Sequence, residues 1–177
     1  LLIILAVGSC ATISPKLSSF RSQDAEISLS VTSEDRQKER IIRNQIISLG
    51  DKTSLRAQVK VHNNQAILVG EVLNKATKES LEVSAIRNAK VDKVFNLIDV
   101  SNPLPEYKGF TDLLLKTKVA FAMAGVKELD TTRVETVVDR QRIFLMGVVT
   151  EDEASIMVER LRRISGVKEI VVVFKYI

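Results

Sequence analysis

The 177 residues include one cysteine, one histidine, three prolines and no tryptophan. Each scarcity excludes something. A structural zinc site normally takes four Cys or His ligands, and a catalytic one usually takes three protein ligands; Cys10 and His62 alone supply neither. A nucleophilic triad needs a base, most often His, beside Ser or Cys. With Cys10 close to the first residue and His62 by itself, no such set assembles. A single cysteine also closes no disulfide within the chain. The net charge is only +4, and no run of five or more Lys and Arg occurs, so a nucleic-acid tail is not indicated. A mildly basic balance favours anionic partners in general, lipid headgroups included. The expectation is a protein without metal, cofactor, small-molecule substrate or catalysis.

What is present starts with grease. Leu1–Val7 is unbroken apolar sequence, followed by Gly8-Ser9-Cys10. The run is too short to span a bilayer, which takes about 20 apolar residues. It reads as the end of a signal-peptide apolar region with its processing site. No Met or basic stretch precedes it, so the sequence is expected to begin inside that signal. Val7-Gly8-Ser9-Cys10 resembles a bacterial lipobox. The resemblance implies that Cys10 becomes the first mature residue and carries acyl chains, and Ala11 after it implies sorting to the outer membrane with the folded part in the periplasm. The competing readings are an ordinary cleaved signal with an incidental cysteine, or a short membrane anchor. Residues 11–33, rich in Ser and Thr, read as a tether. Within it, Glu26–Val31 alternates as a short edge strand would.

The remainder carries one pattern twice. In the first copy, a helix over Glu34–Leu49 precedes alternating Leu55–Val61, a turn at His62-Asn63-Asn64, the run Ala66–Val72, a helix over Lys75–Asn88 and a strand Phe95–Val100. In the second, a helix over Thr111–Ala124 precedes a strand Thr132–Val138, a turn at Asp139-Arg140-Gln141, the run Ile143–Val149, a helix over Glu151–Ile164 and a strand Ile170–Tyr176. Gly70 and Gly147 occupy equivalent places, as do Val72 and Val149. Alternation puts Leu55, Ala57, Val59 and Val61 on one face, with Arg56, Gln58 and Lys60 on the other. Thr150 with Glu153 forms a capping box. The expected fold is α+β: two tandem α-β-β-α-β repeats, each a three-stranded mixed sheet with two helices on one face. The boundaries are 1–9 signal remnant, 10–33 lipidated tether, 34–100 first repeat, 101–108 proline-containing linker and 109–177 second repeat.

Three segments carry a family resemblance: Ala66–Val72, Ile143–Thr150 and Ser165-Gly166-Val167-Lys168-Glu169-Ile170. They resemble the BON domain (bacterial OsmY and nodulation), and two copies behind a lipobox resemble the dual-BON outer-membrane lipoproteins. The second copy matches well. The first has Ala89-Lys90-Val91 where the family usually has Gly-Val. The resemblance implies binding of phospholipid, anionic lipid especially, support of outer-membrane integrity, and no catalytic residues. The alternative is a protein–protein adaptor for envelope machinery, with the same fold and no lipid contact.

The helix over 111–124 is apolar on both sides. Phe110, Leu113, Leu114, Thr117, Ala120, Phe121 and Ala124 make one stripe, read as the core side. Leu115, Val119, Ala122 and Met123 make a second, flanked by Lys116 and Lys118. Two readings of this second stripe compete: it enters the acyl–headgroup boundary while the lysines meet phosphates, or it packs on the first repeat or a partner. The matching helix of the first copy differs: Ile42, Ile46 and Leu49 make one stripe, while Arg36, Arg40 and Arg43 occupy much of the remainder. The strand Ile170–Phe174 is also apolar on both faces, so the back of its sheet is expected to be covered. The charged run Asp35–Arg40 reads as a solvated helix face, Glu159, Arg160, Arg162 and Arg163 as the outer side of the last helix, and His62 as a solvated turn residue. Glu151-Asp152-Glu153 opens a helix, where carboxylates are favoured by the dipole.

Overall fold

The computed structural model describes residues 17–50, 53–102, 109–124 and 130–177, with side chains from residue 33 onward apart from Thr131. The first half runs α1 (Leu17–Leu49), β1 (Leu55–His62), β2 (Gln65–Val72), α2 (Lys75–Ala89) and β3 (Lys93–Val100). The second runs α3 (Gly109–Ala124), β4 (Val134–Asp139), β5 (Arg142–Val149), α4 (Glu151–Arg162) and β6 (Glu169–Tyr176). In each half the first two strands pair antiparallel and the third lies parallel to the second, in the orders β1-β2-β3 and β4-β5-β6. The fold is α+β with two three-stranded mixed sheets. Cys10, the apolar run before it and most of the expected linker lie outside the described residues.

Each β-hairpin closes through a two-residue turn with both residues left-handed: Asn63 and Asn64 at φ 47° and 60°, Arg140 and Gln141 at 50° and 65°. Such turns match the twist of the flanking strands. His62 therefore ends β1 opposite Gln65 and is half-buried, its Nε2 sheltered with no hydrogen-bond partner among the described residues, and is not the solvated turn residue expected. The strand expected from Thr132 starts two residues later. Asp130 accepts from the Thr132 backbone N–H at 3.1 Å and its hydroxyl at 2.6 Å, and this local turn bends Thr131–Arg133 into a 3-10 segment.

The helix α1 also differs from expectation. It begins at Leu17, so the segment read as a tether with a short strand at Glu26–Val31 is helical from there on. No glycine or proline interrupts residues 16–49, and Ser and Thr, although poor helix formers, lack the power of either to stop one. The capping box of α4 is present as expected, with Glu153 N–H donating to Thr150 Oγ at 3.2 Å and Thr150 N–H to Glu153 Oε2 at 2.8 Å.

Two helix-facing cores hold the halves. Ile42, Ile46, Val59, Leu68, Leu81 and Ala85 pack together in the first, and Leu115, Val119, Leu145, Met157 and Leu161 in the second. A third cluster lies between the sheets: Ile67 and Val69 from β2, Val137 from β4 and Phe144 and Met146 from β5, with Phe95, Leu97, Val171 and Val173 against them. The two sheets thus meet back to back, and the helices lie outside. This explains why β2 and β5 are apolar without alternation: both faces are covered. It also covers the back of β6, as its sequence required.

Gly70 and Gly147 mark close approaches to the chain running alongside in their hairpins. A Cβ on Gly147 would stand 2.3 Å from the Arg133 carbonyl oxygen, and one on Gly70 would stand 2.0 Å from that of Arg56. Gly70 additionally has φ +138°, a conformation open in practice to glycine alone.

Candidate functional site

The outer layer of the second half is set by how α3 rolls onto its sheet. Leu115 and Val119 are 3% and 2% exposed, Met123 is buried, and Ala122 packs against the same core. These side chains, expected to meet lipid, the first repeat or a partner, form the core stripe of their own repeat. The opposite stripe, expected in the core, faces outward: Phe110 is 73% exposed, Phe121 77%, and Leu113 and Leu114 are open as well. Thr117, Ala120 and Ala124 lie exposed on this side. Lys116 and Lys118 flank it, both exposed; Lys116 Nζ lies 3.3 Å from Gln58 Oε1, and Lys118 Nζ donates to Ser165 at its carbonyl and hydroxyl oxygens.

The rotation of α3 has a specific cause. Asp112, on the Leu115–Val119–Met123 side, is 2% exposed and accepts hydrogen bonds from Arg140 N–H at 2.7 Å and Gln141 N–H at 2.9 Å. A carboxylate thus clamps the hairpin turn between β4 and β5 and fixes which side of the helix points inward. The first half repeats the device. Asp35 accepts from Asn63 N–H at 2.8 Å and Asn64 N–H at 3.1 Å, with the same spacings of 28 and 29 residues. Asp35 is therefore buried, unlike the solvated residue expected, while Arg36, Gln37 and Arg40 beside it are exposed. Register between the copies was the signal that finds the inner face: the Asp35–Ile42–Ile46 spacing of α1 recurs as Asp112–Val119–Met123 in α3.

The seam between the sheets is polar at its rim. Glu71, 1% exposed, is held by Arg56 of its own sheet and Arg140 of the other. Arg142 sits 2.6 Å from Asp99 and 3.8 Å from Asp139, with its guanidinium 5.2 Å from the Phe144 ring. Gln58 Nε2 reaches Asp139 Oδ1 at 3.4 Å. Burial, chiefly, and then the nearby Asp112 carboxylate push the Asp139 carboxyl above its ordinary range, against the pull of Arg142. Arg56 and Gln58 on the polar side of β1 are thus committed to this seam, while Lys60 stands 3.6 Å from Glu39 of α1 and 3.9 Å from Glu135 of β4. Apart from Arg142 with Asp139, three residues away, these pairs join residues distant in sequence, and sequence reading does not find them. The exposed rim of α4, with Glu159, Arg160, Arg162 and Arg163 outward, lies where expected.

No helix among the described residues is long and apolar enough to cross a membrane. The outward face of α3 is instead an amphipathic strip lying along a folded domain: large apolar side chains in the middle and a lysine at either side. That arrangement suits contact with an apolar–anionic boundary.

The BON domain family matches residues 111–177. The chain is 29% identical over 126 residues to the outer membrane lipoprotein DolP of Haemophilus influenzae, and 21% identical over 126 residues to the 21 kDa hemolysin of Actinobacillus pleuropneumoniae; each match takes in 71% of this chain and 65% of the relative. The chain thus spans about two thirds of the length of these curated relatives. Among solved structures, CdsD, a structural protein of the type III secretion system of Chlamydia trachomatis, is 11% identical with a TM-score of 0.33, over 78% of this chain and 91% of that one.

Proposed function

This chain carries a BON domain over residues 111–177, and from that premise we propose that it is a lipid-anchored envelope protein whose second repeat lies against a phospholipid membrane, anionic lipid favoured. Cys10 is the anchor, and the folded part sits in the periplasm against the outer membrane, whose integrity it supports. It acts by binding, without catalysis. The name of its Haemophilus relative, an outer membrane lipoprotein, supports the location. The observation that carries the lipid reading is the exposed stripe Phe110, Leu113, Leu114 and Phe121.

A large apolar side chain taken fully out of water contributes about 1.5–3 kcal/mol. Half-insertion of four therefore contributes about 3–6 kcal/mol, and Lys116 and Lys118 add about 1 kcal/mol each near an anionic surface. The sum gives weak, reversible attachment, which acyl chains on Cys10 convert to a stable one. The lysines at the edges meet phosphates while the aromatic residues enter the boundary. Vesicle sedimentation tests this. The Cys10→Ser chain, which cannot be acylated, should bind vesicles containing phosphatidylglycerol more than neutral ones, and adding Phe110→Glu/Phe121→Glu should abolish that binding while the fold is kept. Undiminished binding by the folded triple variant would defeat the reading. Failure of the Cys10→Ser chain on every vesicle composition would favour a protein adaptor using the same stripe.

A further inference from the structure

The strand β6 forms an edge of its sheet, and no described strand pairs with its outer side. Natural edge strands are commonly blunted by a proline, a bulge or a charge in mid-strand. Residues 169–176, Glu-Ile-Val-Val-Val-Phe-Lys-Tyr, carry none of these: the register with β5 is continuous, and charges stand only near the two ends. Val172, at the middle, is 40% exposed. Beside it a groove of about 440 Å³ opens between β6 and α4, lined by Val158, Arg162, Val172, Phe174 and Tyr176 among others.

The strand is complementary to itself. About a two-fold axis through Val172, an antiparallel copy sets Glu169 opposite Lys175, Ile170 opposite Phe174, Val171 opposite Val173, and Val172 opposite its own equivalent. Every pair is then charge-matched or apolar, and both members of each lie on one face. Glu169 and Lys175 are exposed, and neither is engaged in a salt bridge with another described residue. The edge strand β3 of the other sheet lacks this freedom. Its Asp99 is held by Arg142, and Asn96 at its centre donates to the Lys78 carbonyl and to Glu82.

We infer that two copies of this chain associate through β6, joining two β4-β5-β6 sheets into one six-stranded sheet. Val172 and Phe174 of each copy enter the groove of the other. The contact is isologous, so it closes at two copies. It uses none of the α3 residues assigned to lipid.

Sedimentation velocity of the full chain over a concentration series to about 1 mM, where even weak self-association registers, tests the inference. Wild-type protein should become dimeric. Lys175→Glu and Glu169→Lys each put like charges opposite one another twice per dimer and should weaken association about tenfold or more. The combined Glu169→Lys/Lys175→Glu swap should restore it. Each variant keeps the same N-terminal apolar run, so association through that segment would be indifferent to the swap. A wild type that stays monomeric throughout, or a double swap no better than the single variants, overturns the inference.

Discussion

Replacing Asp112 with alanine removes the acceptor of two backbone hydrogen bonds, from Arg140 at 2.7 Å and Gln141 at 2.9 Å. A bond to a charged group contributes about 1.5–3 kcal/mol, so the pair sets an upper figure of about 3–6 kcal/mol. Two effects reduce it. Arg140 and Gln141 are half-buried, so water takes over part of the lost acceptance. The Asp112 charge also disfavours ionised Asp139, and removing it relieves that repulsion. The expected loss for Asp112→Ala is therefore about 2–3 kcal/mol, a large share of a total of about 5–15 kcal/mol. Urea unfolding followed by far-UV circular dichroism reads it as a lower midpoint at unchanged slope. Asp35→Ala, with the same geometry in the first half, should lose a similar amount. A change below about 0.5 kcal/mol, the level of an ordinary surface substitution, would refute the view that these carboxylates fix the helices on their hairpins.

Other outcomes follow from single backbone and charge features. Lys90 ends α2 in the left-handed region at φ 54°, where the second half has Gly166 at φ 96°; Lys90→Gly should raise stability by about 0.5–1 kcal/mol in the same urea titration. Asp139 binds its proton more tightly folded than unfolded, so wild-type protein loses stability as pH rises from its ordinary value of 3.8 through the raised folded value. Asp139→Asn should accordingly be the more stable protein at neutral pH, with the advantage disappearing as pH falls through that window. A pH-independent deficit in the variant would contradict the assignment of burial as the dominant influence.

Local chemistry made most of the fold legible. The hairpin turns, the capping box at Thr150 and Glu153, and the alternation of Leu55–Val61 each depend on residues a few positions apart. The helix α3 misled for a physical reason. Both of its sides are apolar, and the side with two phenylalanines and two leucines is the greasier one, so hydrophobicity alone points the wrong stripe inward. The deciding interaction, Asp112 with the turn at Arg140 and Gln141, spans 28 and 29 residues and is invisible to periodicity. The pattern shared by the two helices does carry it, because Ile42 and Ile46 already identify the inner side in α1. The early start of α1 was hidden differently: Ser and Thr suggest a tether by composition, but nothing in residues 16–49 breaks a helix. The seam was legible only as apolar runs needing cover, and its ion pairs join residues as far apart as Glu71 and Arg140.

The absence of tryptophan permits a direct test of the outward face of α3. Phe121→Trp places the sole indole of the protein at a site 77% exposed. In buffer its fluorescence should show the long-wavelength emission of a water-exposed ring, and phosphatidylglycerol vesicles should shift it to shorter wavelength, more than neutral vesicles do. An indole already blue-shifted in buffer, or one unmoved by vesicles of any composition, would contradict the account.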